Sequence, residues 1–215
     1  MSNVAHDVER MLNDVPEPVD TKRRILDAAI DTLREDGFAV ASARTIARRG
    51  DFNQALIFYH YGTLNGLVLA AFDEVTRARI ERYVEVFEGP EYLATKLLAM
   101  RELYRDDRES GRLRVITEVI GGANLRPDLA PEVAARIDPW LDMTDGVVGD
   151  IIAKVGLAGV VEPRDAAFAI SACFLGMDLL GNLGYDEARP ERLMEIAATL
   201  APMLELLTGG FGAPS

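Results

Sequence analysis

The sequence is poor in the residues that form disulfide bonds, metal centres and hydrolytic active sites. Cys173 is the only cysteine, so no disulfide bond can form within the chain. The two histidines, His6 and His60, do not belong to a His/Cys cluster with the spacing of a zinc site. No glycine-rich phosphate-binding loop is present, because the Gly121-Gly122 pair lacks the surrounding pattern. We therefore predict that the protein is not an enzyme and uses no metal ion and no cofactor.

The sequence also has no long apolar run. The longest uncharged stretch in the C-terminal half extends from Ala166 to Met177, which is too short to span a bilayer. Residues 1–20 are polar and acidic, contain Pro16 and Pro18, and have no apolar signal-peptide core. We expect residues 1–20 to form a disordered arm, and we expect a cytoplasmic protein without membrane contact.

Positive charge is scarce and unevenly distributed. The chain carries 23 Lys and Arg against 35 Asp and Glu, and its net charge of −12 is not typical of a nucleic-acid-binding protein. The segment from Thr21 to Gly66 nevertheless has seven basic and five acidic residues, so it carries +2 and the rest of the chain −14. The basic charge is thus concentrated in the N-terminal quarter.

Apolar residues recur with helical spacing in almost every segment, and no convincing strand alternation appears. Glycine and proline residues divide the chain into roughly nine or ten helices, and Gly121-Gly122 is expected to break one of them. We therefore predict an all-α fold. The predicted helices cover about residues 21–36, 42–50, 53–60, 63–87, 91–110, 113–120, 131–137, 138–155, 163–183 and 190–208.

The most informative segment extends from Ser42 to Leu67. Ser42 and Asn53 are good N-caps for two short helices, and the Gly50-Asp51 pair between them can form a tight turn with left-handed backbone. The second helix can then point its N-terminal polar residues outward, and such a helix fits the major groove of DNA. The apolar residues that form the small core of this motif are Ile46, Phe52, Ile57 and Tyr61.

The same segment resembles the DNA-binding domain of the TetR family. The resemblance covers about Thr21 to Phe72, and its core, Ile57-Phe58-Tyr59-His60-Tyr61, is similar to the Leu-Tyr-Tyr-His-Phe run of that family. It implies a homodimer that reads a palindromic operator, with a variable C-terminal domain that binds an inducer. We place a three-helix helix-turn-helix domain at 21–66 and a larger ligand-binding and dimerisation domain at 67–215. Further matching residues are Gly37-Phe38, Ser42, Arg44, Ile46-Ala47, Phe52-Asn53 and Leu67.

The resemblance assigns DNA contacts only at matching positions. Arg44 resembles a base or phosphate contact, Gln54 a DNA-facing residue, and Tyr59 a phosphate-contacting hydroxyl. His60 would donate to the DNA backbone or hold the motif together. Apart from the resemblance, three cations oppose the dipole of the first helix, which is understandable if phosphate groups lie nearby. The complete set of candidates is Lys22, Arg23, Arg24, Ser42, Arg44, Asn53, Gln54, Leu56, Tyr59 and His60.

The chain departs from the family pattern at the start of the fourth helix, where Leu64 replaces the usual phosphate-contacting lysine. Gly50-Asp51 also replaces the usual Ala-Gly turn. Our first hypothesis is a ligand-responsive transcriptional regulator, a repressor that is released from a palindromic operator by a small apolar or amphipathic effector. The acidity and Leu64 motivate a second hypothesis, a helical dimeric ligand- or protein-binding module with weakened DNA binding.

The last two predicted helices, at about Pro163–Leu183 and Pro190–Thr208, are apolar and suited to association. In the final helix, Leu193, Ile196, Leu200, Met203 and Leu207 have heptad-like spacing. We predict that these two helices form a four-helix homodimer interface, and the alternative is packing within one chain. Seven large apolar side chains are candidates for an effector pocket, although their spacing also fits a core: Met100, Tyr104, Trp140, Met143, Phe168, Phe174 and Met177.

Overall fold

Almost the whole described chain is helical. The computed structural model describes residues 18–89, 92–154, 156–186 and 188–208. Within them it has ten α-helices, one short 3₁₀-helix at Phe38–Val40 and no β-strand, which confirms the predicted all-α fold. The α-helices are α1 (Pro18–Glu35), α2 (Ala43–Arg49), α3 (Ala55–Tyr61), α4 (Leu64–Glu88), α5 (Leu93–Glu109), α6 (Arg112–Ala123), α7 (Ala130–Ala135), α8 (Asp138–Lys154), α9 (Pro163–Asn182) and α10 (Arg189–Thr208).

Two helix boundaries differ from those expected. Helix α1 begins at Pro18, inside the segment predicted to be a disordered arm, and residues 1–17 of that arm lie outside the described residues. Helix α6 continues through Gly121-Gly122 to Ala123, so the predicted break there is wrong. Glycine costs a helix about 1 kcal/mol relative to alanine, but the apolar face of α6 is buried on both sides of the pair.

The chain divides into two compact units, residues 1–71 and 72–215, and the division falls inside α4. In the N-terminal unit, α1 packs against the 3₁₀-helix, α2 and α3. Apolar side chains from these three α-helices form the core of the unit and are fully buried: Ile25, Ala29, Leu33, Ile46 and Ile57.

The C-terminal unit is a larger helical assembly. Helix α10 packs along α5, α9 packs along α8, and α6 contacts α5, α7 and α9. Tyr104, Leu113 and Met194 form a buried cluster where α5, α6 and α10 meet, and Phe174 of α9 packs against it. Within the described residues no single helix is both long and apolar enough to cross a membrane. Helices α3 and α4 meet that requirement only as a pair, and they are bent by 64° from each other.

Candidate functional site

Side-chain caps fix the starts of the two short helices α2 and α3 of the N-terminal unit. The Ser42 Oγ accepts a hydrogen bond from the backbone N–H of Thr45 at 3.1 Å, and the Asn53 Oδ1 accepts one from Ala55 at 2.9 Å. These bonds satisfy N–H groups that have no partner in the first turn of a helix. Ser42 and Asn53 therefore act as the caps that their positions predicted, while both side chains remain exposed.

The turn between α2 and α3 depends on the residue pair at 50–51. Asp51 has a φ of 51°, so it is this residue, and not Gly50, that adopts the left-handed conformation. Gly50 is needed for space, because a Cβ there would overlap the Phe52 ring and lie 2.9 Å from the Ala28 Cβ. The turn thus brings α2 and α3 close enough to α1 to share one core.

Helix α3 presents a polar and aromatic face to solvent. Gln54 and Phe58 are exposed, and Tyr59 is 81% exposed, the most of any aromatic side chain in this unit. Leu56 and His60 are half-buried, and the His60 ring meets the edge of the Tyr59 ring at a centroid distance of 4.9 Å. The side of α3 that remains outside the core is therefore the side that was predicted to face DNA.

The exposed cations of the N-terminal unit fall into two groups. Arg49 donates to Glu35 at 2.6 Å and to Asp36 at 2.7 Å, and this pairing lowers the pKa of Glu35 because the arginine stabilises the carboxylate. Arg23 likewise pairs with Asp27 at 2.8 Å. In contrast, four cations form no ion pair with any described residue, namely Lys22, Arg24, Arg44 and Arg48.

Arg48 is a candidate that the sequence analysis missed. It lies four residues after Arg44 on α2, so both guanidinium groups project from the same face of that helix. Both side chains are exposed. The i, i+4 spacing is visible in the sequence, but three arginines share α2, and their sequence positions do not show that Arg49 is the one held by α1.

The N-terminus of α4 follows α3 after two residues. The Thr63 Oγ1 accepts a hydrogen bond from the Gly66 N–H at 2.9 Å, so Thr63 caps this helix. Glycine is required at position 66, because a Cβ there would overlap the Tyr61 carbonyl oxygen. Leu64, the residue at the position of the usual lysine, is half-buried. Tyr61 also joins α3 to α1, because its hydroxyl donates to the Lys22 carbonyl oxygen at 2.8 Å.

The C-terminal unit contains a cavity of about 240 Å³ with mostly apolar walls. Three of the seven predicted pocket residues line it, namely Trp140, Phe168 and Phe174. Trp140 is held in place because its Nε1–H donates to the Ser171 Oγ at 3.1 Å. Met100, Met143 and Met177 are half-buried and lie outside the lining, and Tyr104 is fully buried in the core cluster of α5, α6 and α10.

Two buried charged residues that the sequence analysis did not find form what we call the polar end of the cavity, whereas Arg136, a third charged lining residue, is paired with Asp73 and Glu132. Arg79 of α4 and Asp178 of α9 both line the cavity and are only 6% and 5% exposed. The Arg79 guanidinium lies 4.5 Å from the centroid of the Trp140 ring and 3.2 Å from the Asp107 carboxylate. Burial raises the pKa of Asp178 to about 6, although the nearby Arg79 works against this shift.

Helices α9 and α10 each carry large apolar side chains that no other described residue covers. On α10, Met194, Ala198 and Ala201 are buried, whereas the residues with heptad-like spacing lie on another face and are exposed. The Leu207 side chain lies outside what the structure describes. Apart from Phe168, which lines the cavity, the large exposed apolar residues of α9, its C-cap and α10 are Ile170, Leu179, Leu180, Leu183, Leu193, Ile196, Leu200, Met203 and Leu206.

Comparison with known proteins agrees with this architecture. Residues 25–71 match the model of the family described as bacterial regulatory proteins, tetR family. An uncharacterized HTH-type transcriptional regulator of Mycobacterium tuberculosis is 29% identical over 197 residues, which cover 89% of this chain and 94% of that protein. Together these matches support a transcriptional regulator of the TetR family, which the resemblance of the sequence predicted. The matching relatives are named as transcriptional regulators, which supports the prediction of a DNA-binding transcription factor rather than an enzyme.

Solved structures share the fold over most of its length. A transcriptional regulator from Pseudomonas aeruginosa aligns with a TM-score of 0.71 at 21% identity, over 89% of this chain and 93% of that one. The FadR regulator of Bacillus subtilis, solved in complex with stearoyl-CoA, aligns with a TM-score of 0.61 at 18% identity, over 87% of this chain and 98% of that one. At these identities the likeness establishes the fold alone.

Proposed function

We propose that this regulator is a repressor that binds a palindromic operator as a homodimer and is released by a small, mostly apolar effector. The observation that carries the DNA-binding part is the combination on one unit of an exposed α3 face with the unpaired cations of α1 and α2. Gln54 and Tyr59 supply the groups for base and phosphate contacts, and Arg44 and Arg48 supply charge beside them.

The proposed homodimer uses the exposed apolar surface of α9 and α10. Monomeric soluble proteins rarely expose this many large apolar side chains to water, so we expect a partner chain to cover them. Two helices from each chain would cover this surface symmetrically, as an isologous contact requires. A dimer also places two α3 helices on the DNA, which is the reason for expecting a palindromic operator.

The dimer is tested by sedimentation of Leu200→Glu at micromolar concentration. Leu200 of α10 is half exposed on the proposed interface, so the introduced charge should shift the protein from dimer to monomer. Leu98→Glu is the matched control, because Leu98 is an exposed leucine of α5 outside that surface and should leave the dimer intact. A native protein that sediments as a monomer would exclude the proposed interface.

The proposed effector site is the cavity of the C-terminal unit. Its volume of about 240 Å³ is below the roughly 300–1,000 Å³ of common ligand pockets, so the effector is expected to be small. Four aromatic side chains are among its apolar walls, namely Phe72, Trp140, Phe168 and Phe174. The FadR neighbour, solved with stearoyl-CoA, is a ligand-binding example of the same fold.

Operator binding is tested by gel shift with the DNA that flanks the protein's own gene. Removal of both free arginines of α2, in the double variant Arg44→Ala/Arg48→Ala, should weaken binding strongly and flatten its salt dependence, because each lost phosphate contact removes about 0.9 from the slope. Arg77→Ala is the matched control, since Arg77 is an exposed arginine of α4 that pairs with Glu74 and Glu81. Equal loss in the two proteins would refute the proposed interface.

A second function is favoured by the charge of the molecule. The net charge of −12 repels DNA at long range, and Leu64 removes a phosphate contact that the family usually has. We therefore keep the alternative of a dimeric ligand- or protein-binding module with weakened DNA binding. A native protein that is dimeric and binds small aromatic ligands, yet shifts no DNA from its own locus at low salt, would favour this alternative.

A further inference from the structure

The polar end of the cavity contains buried groups that lack well-aligned hydrogen bonds. The Arg79 Nη2, the Asp178 Oδ1 and the Thr76 Oγ1 are buried, and none forms a well-aligned hydrogen bond with a described residue. All three side chains line the cavity. A buried polar group without a partner costs the folded protein about 1–3 kcal/mol. A ligand that supplies the missing bonds recovers this free energy, so the polar end is able to select a ligand by its head group.

The charges at the polar end already have counter-ions within the protein. Arg79 pairs with Asp107, and the same carboxylate also receives Arg82 at 2.9 Å and Arg112 at 2.8 Å. The Asp178 carboxylate in turn is stabilised by the positive charge of Arg79, by the nearby Tyr104 hydroxyl and by the positive charge of Arg108, and Asp107 is the opposing negative charge. A charged ligand would disturb this balance in a buried place, where an unpaired charge is costly. The geometry therefore favours a neutral head group that both accepts and donates hydrogen bonds.

We propose that the cavity binds a neutral hydroxylated aromatic molecule, a phenol, whose oxygen accepts a hydrogen bond from Arg79 and donates one to Asp178. The aromatic body would pack against the rings of Phe72, Trp140 and Phe174, where offset or edge-to-face contacts are favourable. A single hydroxyl satisfies one donor and one acceptor at the same time, which fits the small size of the cavity. This inference rests on the proposed effector site and specifies the class of ligand that it takes.

The test compares three probes with the same fused-ring body: naphthalene, β-naphthol and β-naphthoate. Their dissociation constants are measured by calorimetry with the native full-length protein and no DNA. We expect β-naphthol to bind about ten- to a hundredfold more tightly than naphthalene, because hydrogen bonds to charged groups form only with the hydroxyl. We expect β-naphthoate to bind more weakly than β-naphthol, because its carboxylate would lie beside Asp178.

The variant Asp178→Asn reports on the head group alone. It keeps the size of the side chain and removes its charge, so the preference for β-naphthol over β-naphthoate should shrink or reverse. Ile137→Leu is the matched control on the apolar wall, because it conserves volume and should change the affinity of all three probes alike.

The possible outcomes separate this inference from the proposed function. Equal affinity of naphthalene and β-naphthol, tightest binding of β-naphthoate, or no binding of β-naphthol would each overturn the phenol site. Selective binding of β-naphthol without any effect on operator binding would support the phenol site and contradict the proposed effector mechanism. Selective binding together with release of DNA would support both.

Discussion

The substitution Asp178→Asn should stabilise the protein, and only above a defined pH. The carboxyl of Asp178 titrates near 3.8 in the unfolded chain and at about 6 in the folded protein, because burial disfavours its charged form. Between these two values the folded protein holds the proton more tightly than the unfolded chain. Folding therefore becomes less favourable as the pH rises from about 4 to about 6, and the whole penalty is present above about pH 6.

The size of this effect follows from the same two pKa values. A gap of roughly two pH units corresponds to about 3 kcal/mol, since each unit is worth about 1.36 kcal/mol. Asparagine has nearly the same shape and cannot ionise, so the variant avoids the penalty. We expect Asp178→Asn to match the native protein near pH 4 and to exceed its free energy of unfolding by about 1–3 kcal/mol at pH 7.5.

The assay is urea denaturation of both proteins at a series of pH values between 4 and 8, followed by circular dichroism. The difference between the two proteins isolates Asp178, because every other titrating group is shared. A difference that does not change with pH would show that Asp178 titrates alike in the folded and unfolded states. A variant that is less stable at pH 7.5 would show that the ionised carboxylate stabilises the fold, and the reasoning about burial would then be refuted.

Three further predictions concern DNA contacts and the glycines of the two units. Gln54→Ala should relax sequence preference at one base pair per half-site, at a cost of about 1–3 kcal/mol, whereas Tyr59→Phe should weaken binding to all sequences alike; competition titrations with operator and random duplexes separate the two effects. Leu64→Lys should add one phosphate contact per subunit and steepen the slope of log affinity against log salt by about 1.8 per dimer, and an unchanged slope would mean that this residue does not face the DNA backbone. Gly50→Ala should destabilise the N-terminal unit by about 1–3 kcal/mol, because the added Cβ would overlap Phe52 and Ala28. Gly121→Ala should stabilise the C-terminal unit by up to about 1 kcal/mol, because its Cβ would lie in open space on α6. Denaturant midpoints of the two variants that move in the same direction would contradict these expectations.

The helix-turn-helix could be predicted from sequence because its determinants are local. The caps at Ser42, Asn53 and Thr63 act within three residues, and the turn at 50–51 depends on its own backbone. The predicted break at Gly121-Gly122 was wrong because it rested on the low helix propensity of glycine alone. The packing of α6 against other helices stabilises the helix through this pair.

The details of both candidate sites depend on contacts between residues that are distant in sequence. Arg48 and Arg49 are neighbours in the chain, yet only Arg49 reaches the two carboxylates at the end of α1, thirteen and fourteen positions away. Helical spacing could not show that Trp140 lines the cavity and Tyr104 lies in the core, since both are large side chains on apolar helix faces. The sequence did not indicate that Asp178 lines the cavity, because a single aspartate beside an apolar helical stretch looks the same whether its side chain is buried or exposed to solvent.

Nuclease footprinting of the DNA that flanks the protein's own gene tests the central claim most directly. A homodimer with one α3 helix on each half-site should protect two symmetric half-sites whose centres are about one helical turn apart, or a whole multiple of it. The same footprint should disappear for Arg44→Ala/Arg48→Ala and remain for Arg77→Ala. Protection without two-fold symmetry, or no protection at any protein concentration at low salt, would contradict the proposal that this protein is a dimeric operator-binding repressor.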